Sequence, residues 1–171
     1  MKTVRLTLGL IALVLHAKAD DAAPSALSLP YQEFDQTPHS GWRAIGEDAK
    51  RYQEAAALID AYLARHSELD QSRKAILHWH ALQLLAIGGD TPAALKHLPF
   101  TRLDPEPPDP PVRWNDYVDA TEAFLKHDRP KLLAARERIA RNKPDDANLS
   151  IVDSFIAHFE QPYAKAYGAK K

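Results

Sequence analysis

The stretch Leu84-Leu85-Ala86-Ile87-Gly88-Gly89-Asp90-Thr91-Pro92-Ala93-Ala94-Leu95 decides the fold class. An apolar run stops at two glycines, which tolerate the left-handed conformation that ends helices. Thr91-Pro92 then opens a new helix, with the Thr91 hydroxyl expected as cap and the proline in the first turn, where its missing N–H costs nothing. The passage therefore reads as helix, tight turn, helix.

Upstream, Ile76, Leu77, Trp79, Leu82, Leu84, Leu85 and Ile87 make the helix that starts near Asp70 or Ser72 apolar nearly all round. Such a helix belongs at the centre of a bundle. Before it, Trp42, Ile45, Ala49, Tyr52, Ala56, Ile59 and Leu63 alternate spacings of three and four, one apolar stripe along a helix over residues 41–66. Ser40 is its expected N-cap. Glu47, Asp48, Glu54 and Asp60 fall on the solvated side. Residues 20–40 carry Pro24, Pro30 and Pro38 without helical period and read as an extended lead-in, with Tyr31 and Phe34 as anchors onto the domain.

Downstream, residues 99–112 hold six prolines. No regular helix survives that density, so a stiff polyproline-like connection is expected, a spacer in preference to a binding segment. Beyond it, Trp114, Tyr117 (or Val118), Thr121, Phe124 and Leu125 mark one helix. Leu132, Leu133, Ala135 and Ile139 mark the next, closed by Pro144. Leu149, Val152, Phe155, Ile156 and Phe159 mark a last one, stopped by Pro162 before a tail over residues 161–171. No strand-like alternation appears. The expectation is all-α, about six helices in antiparallel helical hairpins, forming a bundle or short solenoid in a single domain over residues 41–160.

The opening stretch has an echo 38 residues later: Glu122-Ala123-Phe124-Leu125-Lys126-His127-Asp128-Arg129-Pro130-Lys131-Leu132-Leu133. Both segments end a helix, place Asp two residues before Pro and begin another. The Gly89-Asp90 turn followed by Ala94 and Leu98, with Leu82 and Leu85 before it, resembles the tetratricopeptide class. In the second unit Asp128 takes the turn, Leu132 replaces the small residue, and Pro144 lies near the closing proline. The resemblance covers about half of the chain after residue 19, and the units are not tandem. It implies a protein-binding scaffold and no catalytic residues.

The N-terminus reads as an address. Lys2 and Arg5 precede a ten-residue apolar run over residues 6–15, and Ala17-Lys18-Ala19 supplies small residues where a signal peptidase cuts. That run falls short of the roughly 20 apolar residues a membrane span needs. Removing residues 1–19 takes away Lys2, Arg5 and Lys18 and no acid, so net charge moves from −1 to −4. A mildly acidic chain has no general draw toward nucleic acid or anionic membrane. There is no cysteine, hence neither a disulfide framework nor a lipid anchor after the signal. The expected location is the bacterial periplasm, or the outside, with no membrane anchor after cleavage.

Catalytic and metal motifs are missing. His66, His78, His80, His97, His127 and His158 include no i,i+3 or i,i+4 pair. His78 and His80 point about 200° apart on a helix, so they cannot share an ion. His80 and Gln83 share a face and read as a polar pair bonded to a neighbouring helix. Asp153, Ser154 and His158 superficially resemble a triad, but adjacent helical residues diverge by about 100°, which denies Asp153 the orienting role. No cofactor, metal or catalytic residue is expected. The candidate partner-contacting residues are Arg102, Asp104, Glu106 and Asp109 in the proline-rich segment, Trp114 as an exposed indole at its exit, and His80 with Gln83. The expected task is binding a protein or peptide in the cell envelope. An inhibitor or immunity-type protein that blocks a toxin or hydrolase, and an envelope-acting hydrolase, are the alternatives.

Overall fold

The computed structural model describes residues 26–107 and 110–168. The signal-like segment and Asp109 lie outside them. The described residues are helical with no strand: α1 (Gly41–Arg43), α2 (Tyr52–Arg65), α3 (Gln71–Ile87), α4 (Thr91–His97), α5 (Trp114–Leu125), α6 (Arg129–Asn142), α7 (Leu149–Ala157) and α8 (Tyr163–Gly168). The pairs α2/α3, α3/α4 and α5/α6 pack most extensively, each joined by a short turn. The last helix, α8, returns to α3, so the chain closes on one continuous core.

The centre is α3, as its all-round apolar sequence requires. Leu77, Trp79, Ala81, Leu82, Leu84 and Leu85 are all buried, against α2, α4, α8 and the 3-10 turn Leu98–Phe100. Its start is capped by Asp70, whose carboxylate accepts the Arg73 N–H at 2.8 Å.

The two echoing turns are built alike. At the end of α3, the Gly88 N–H donates to Leu84 O (2.9 Å) and the Asp90 N–H to Leu85 O (2.8 Å). At the end of α5, the Lys126 N–H donates to Glu122 O (2.9 Å) and the Asp128 N–H to Ala123 O (2.8 Å). The residue between sits in the left-handed region in both, Gly89 at φ 85° and His127 at φ 53°. Each aspartate then caps the following helix, Asp90 accepting from the Ala93 N–H (3.0 Å) and Asp128 from the Lys131 N–H (3.1 Å). The cap expected of Thr91 therefore belongs to Asp90. A carboxylate one residue earlier reaches the orphan N–H that the hydroxyl, already inside the helix, cannot.

Three segments depart from the sequence expectation. The described part of the lead-in is not extended: Gln32–Gln36 form a π-helical turn, which buries Phe34 against Tyr62 at 3.7 Å between rings. The Tyr62 hydroxyl donates to Leu29 O (2.9 Å), tying the lead-in down. The helix expected over residues 41–66 is broken. After α1 comes a π-helical turn, Ala44–Asp48, and then a kink in which Lys50 has φ 57° and Ala49 is exposed. Ser40 is extended there but makes no side-chain cap bond. Gly41 holds the entry, at φ 49°, where a Cβ would lie 2.0 Å from Phe34 O. Finally, the segment expected as a tail contains α8, with Tyr163 and Ala166 buried.

Candidate functional site

The buried carboxylate of Asp35 organises the most distinctive polar site. It stands on the π-helical turn of the lead-in, with no exposed surface. One carboxylate oxygen faces His80 Nδ1 (2.8 Å) and accepts the Trp42 indole N–H (2.8 Å). The other accepts the Tyr31 hydroxyl (3.1 Å) and the Gln36 amide. Burial pushes this carboxyl up, but hydrogen bonding and charge from His80, with bonds from Trp42 and Gln36, outweigh it and hold the group below the usual carboxylate range. Burial and the nearby Asp35 charge push the Tyr31 hydroxyl above its ordinary range, so it stays a donor.

His80 carries this network to the surface. It lies in a cleft of about 240 Å³ whose walls include Trp42, Tyr52, Leu84 and Ile87, with Glu47, Lys50, Gln83 and Tyr167 at its polar places. Gln83 donates weakly to the Tyr163 hydroxyl (3.5 Å). The expected polar pair on α3 is thus present, each member bonded to a different element. Because Nδ1 is committed to Asp35, Nε2 is the nitrogen left to meet a ligand. Chemically, the cleft offers apolar walls, one oriented imidazole and a charged rim at Glu47 and Lys50.

The proline-rich segment does something else. Its residues Arg102, Leu103 and Glu106 fasten it along α5. Arg102 pairs with Asp119, and Asn115 bonds both the N–H (3.0 Å) and the carbonyl (2.8 Å) of Leu103. The Glu106 carboxylate accepts the Asn115 N–H (3.0 Å), satisfying a first-turn donor of α5 from across the loop. Trp114 is not the exposed indole expected. It is half-buried, donates to Thr101 O (2.7 Å) and meets Trp79 edge-on at 5.1 Å. Of the segment's charged candidates, Asp104 is exposed while Arg102 and Glu106 are half-buried. The candidate residues therefore fall into two groups, the cleft pair on α3 and the loop residues against α5.

A second pocket, about 270 Å³ between α5 and α6, is lined by Asp119, Glu122, Lys126, Asp128, Lys131 and Arg138. These charges pair with one another or with Arg102 and Asp116, which leaves little to recruit a ligand. The triad-like set is incomplete: Ser154 Oγ lies 3.4 Å from His158 Nδ1 but donates to Ala166 O (2.6 Å), and Asp153 turns away to bind Arg136 (2.8 Å).

What sequence reasoning missed is Asp35, read as part of an extended lead-in. Its partner His80 lies 45 residues away, so no local spacing announces it. It also missed the one cluster among the described residues where three metal-ligating side chains meet, Asp60, His78 and His97. No helix of the described residues is long and apolar enough to cross a membrane. No protein-family model, curated protein or solved structure matches this chain.

Proposed function

We propose that this chain is an exported protein-binding module that holds a segment of an envelope protein in the cleft above His80. The observation that carries the reading is the His80 imidazole, oriented by the buried Asp35 carboxylate at the edge of an apolar-walled cleft. Pockets of this kind take an apolar group and fix its direction with a few placed polar atoms. With Nδ1 held by Asp35, Nε2 is the His80 atom offered to a ligand, so the bound segment presents an apolar side chain beside a polar group that pairs with an imidazole nitrogen. The twin Asp-capped turns support the likeness to tetratricopeptide pairing, whose members present helical grooves to peptides. The signal-like residues 1–19 support the envelope as the place.

The test is site-directed photocrosslinking in cells. A photoreactive residue at Gln83 should give one discrete protein adduct in the periplasmic fraction, while the same residue at the exposed Leu133 should not. The adduct should disappear in His80→Ala. Equal labelling at both positions, or an adduct indifferent to His80→Ala, would sink the proposal.

The same Asp35–His80 pair favours a second reading, general-base catalysis in an envelope hydrolase, because a carboxylate on one imidazole nitrogen is how such bases are oriented. Among the described residues, no serine, threonine or cysteine lines its cleft to serve as the nucleophile.

A further inference from the structure

Asp60 on α2, His78 on α3 and His97 at the end of α4 converge from three helices. Their ligand atoms all lie within 4.8 Å of one another. The two imidazoles face each other through the same nitrogen, Nδ1 to Nδ1 at 3.1 Å, and His97 Nδ1 stands 3.9 Å from an Asp60 carboxylate oxygen. The site is formed at the molecular surface: the His97 side chain is 11% exposed, Asp60 55%. Phe100, on the turn after α4, stacks on His78 at 4.8 Å and walls one side.

Two Nδ1 atoms 3.1 Å apart either share a proton or share a ligand. In a hydrogen bond, one ring must adopt the Nδ1–H tautomer and the other must not. A metal ion takes both lone pairs at once. Bond lengths of about 2.0–2.2 Å to nitrogen and oxygen in a tetrahedral site put neighbouring ligand atoms roughly 3.3 Å apart. The observed 3.1 and 3.9 Å bracket that separation, and the exposed Asp60 carboxylate is free to close the longer one by rotation.

We propose that Asp60, His78 and His97 form a binding site for a divalent transition ion, zinc above all. Two imidazoles and one carboxylate suit zinc, cobalt, nickel or copper, whereas magnesium and calcium prefer all-oxygen shells. Three protein ligands leave at least one position open to water or to an outside ligand, the arrangement of a reactive or bridging site and not of a closed structural one. The site is independent of the cleft, because His78 and His80 leave α3 in opposite directions, one toward His97 and the other toward Asp35.

The experiment is calorimetric titration of the tag-free protein with zinc chloride, repeated with magnesium chloride, and absorption spectroscopy with cobalt(II). One equivalent of zinc should bind, magnesium should not, and bound cobalt should show visible d–d bands of a nitrogen–oxygen site. Asp60→Ala changes an exposed residue and should leave the fold intact while weakening zinc at least tenfold, a ligand counting for no less than the residues that orient ligands. His97→Gln should abolish stoichiometric binding. His39→Ala, which removes the exposed His39–Asp48 pair elsewhere on the surface, should change nothing. Absence of one-to-one zinc binding, equal binding in Asp60→Ala, or loss of binding in His39→Ala would each overturn the site and leave His78–His97 as a hydrogen-bonded pair.

Discussion

Asp35 has no exposed surface, and it survives there only because four donors surround it: Trp42, His80, Tyr31 and Gln36. An uncompensated carboxylate in that position would be costly. Its folded carboxyl titrates below the unfolded one. The ionised form is therefore the one the fold stabilises. That contribution is complete above the unfolded carboxylate range, about pH 4, and drains away as pH falls through the folded value. Asp35→Asn should lower the unfolding free energy by roughly 2–3 kcal/mol at pH 7, the cost of weakening a buried charged hydrogen-bond set. The deficit should shrink as the solution is acidified below the ordinary carboxylate range, and urea unfolding at pH 7 and at about pH 2.5 reads it. A deficit constant with pH would mean that Asp35 acts by shape, not charge.

At the scale of elements, the chain is organised by punctuation. The α3–α4 and α5–α6 turns share one hydrogen-bond scheme, and each ends in an aspartate that caps the next helix. Asp90→Ala should cost about 1 kcal/mol, read by thermal unfolding, with faster amide exchange confined to the first turn of α4. Protection lost across α3 instead would make Asp90 a core determinant and not a cap. These turns were legible in the sequence because Gly-Asp-x-Pro and Asp-x-Pro act locally. The break at Lys50 was not. The apolar stripe runs through Ala49 without a gap, and only the fit of the π-helical turn onto the rest of the core selects a kink there. The proline-rich segment was legible as non-helical, but its docking along α5 rests on Asn115 and Glu106, polar residues that carry no periodic signal.

For the whole molecule, the decisive element is the one the sequence reads as a tail. Tyr163 of α8 is 4% exposed and sits among Phe124, Phe155 and Tyr167, with centroid separations of 5.5 to 6.1 Å. Burial pushes its hydroxyl well above the ordinary range, so it remains neutral. Tyr163→Ala should destabilise by about 3 kcal/mol through the cavity it leaves, and should lower thermal stability of the entire chain in one transition. A separate early transition confined to α8 would show that the helix is an appendage, not a wall of the core.

Helix type, the central place of α3 and the sites of its turns follow from the sequence alone, because hydrophobic period and capping act between residues a few positions apart. The cleft at His80 and the meeting of Asp60, His78 and His97 were decided only by tertiary structure. Asp35 reaches His80 across 45 residues, and the three ligating side chains stand on three different helices. What brings them together is the burial of apolar faces they do not belong to. The polar sites of this protein are thus a consequence of packing: a chain read one residue after another shows His80 and Gln83 on one face, but neither Asp35 nor the meeting of the three ligating side chains.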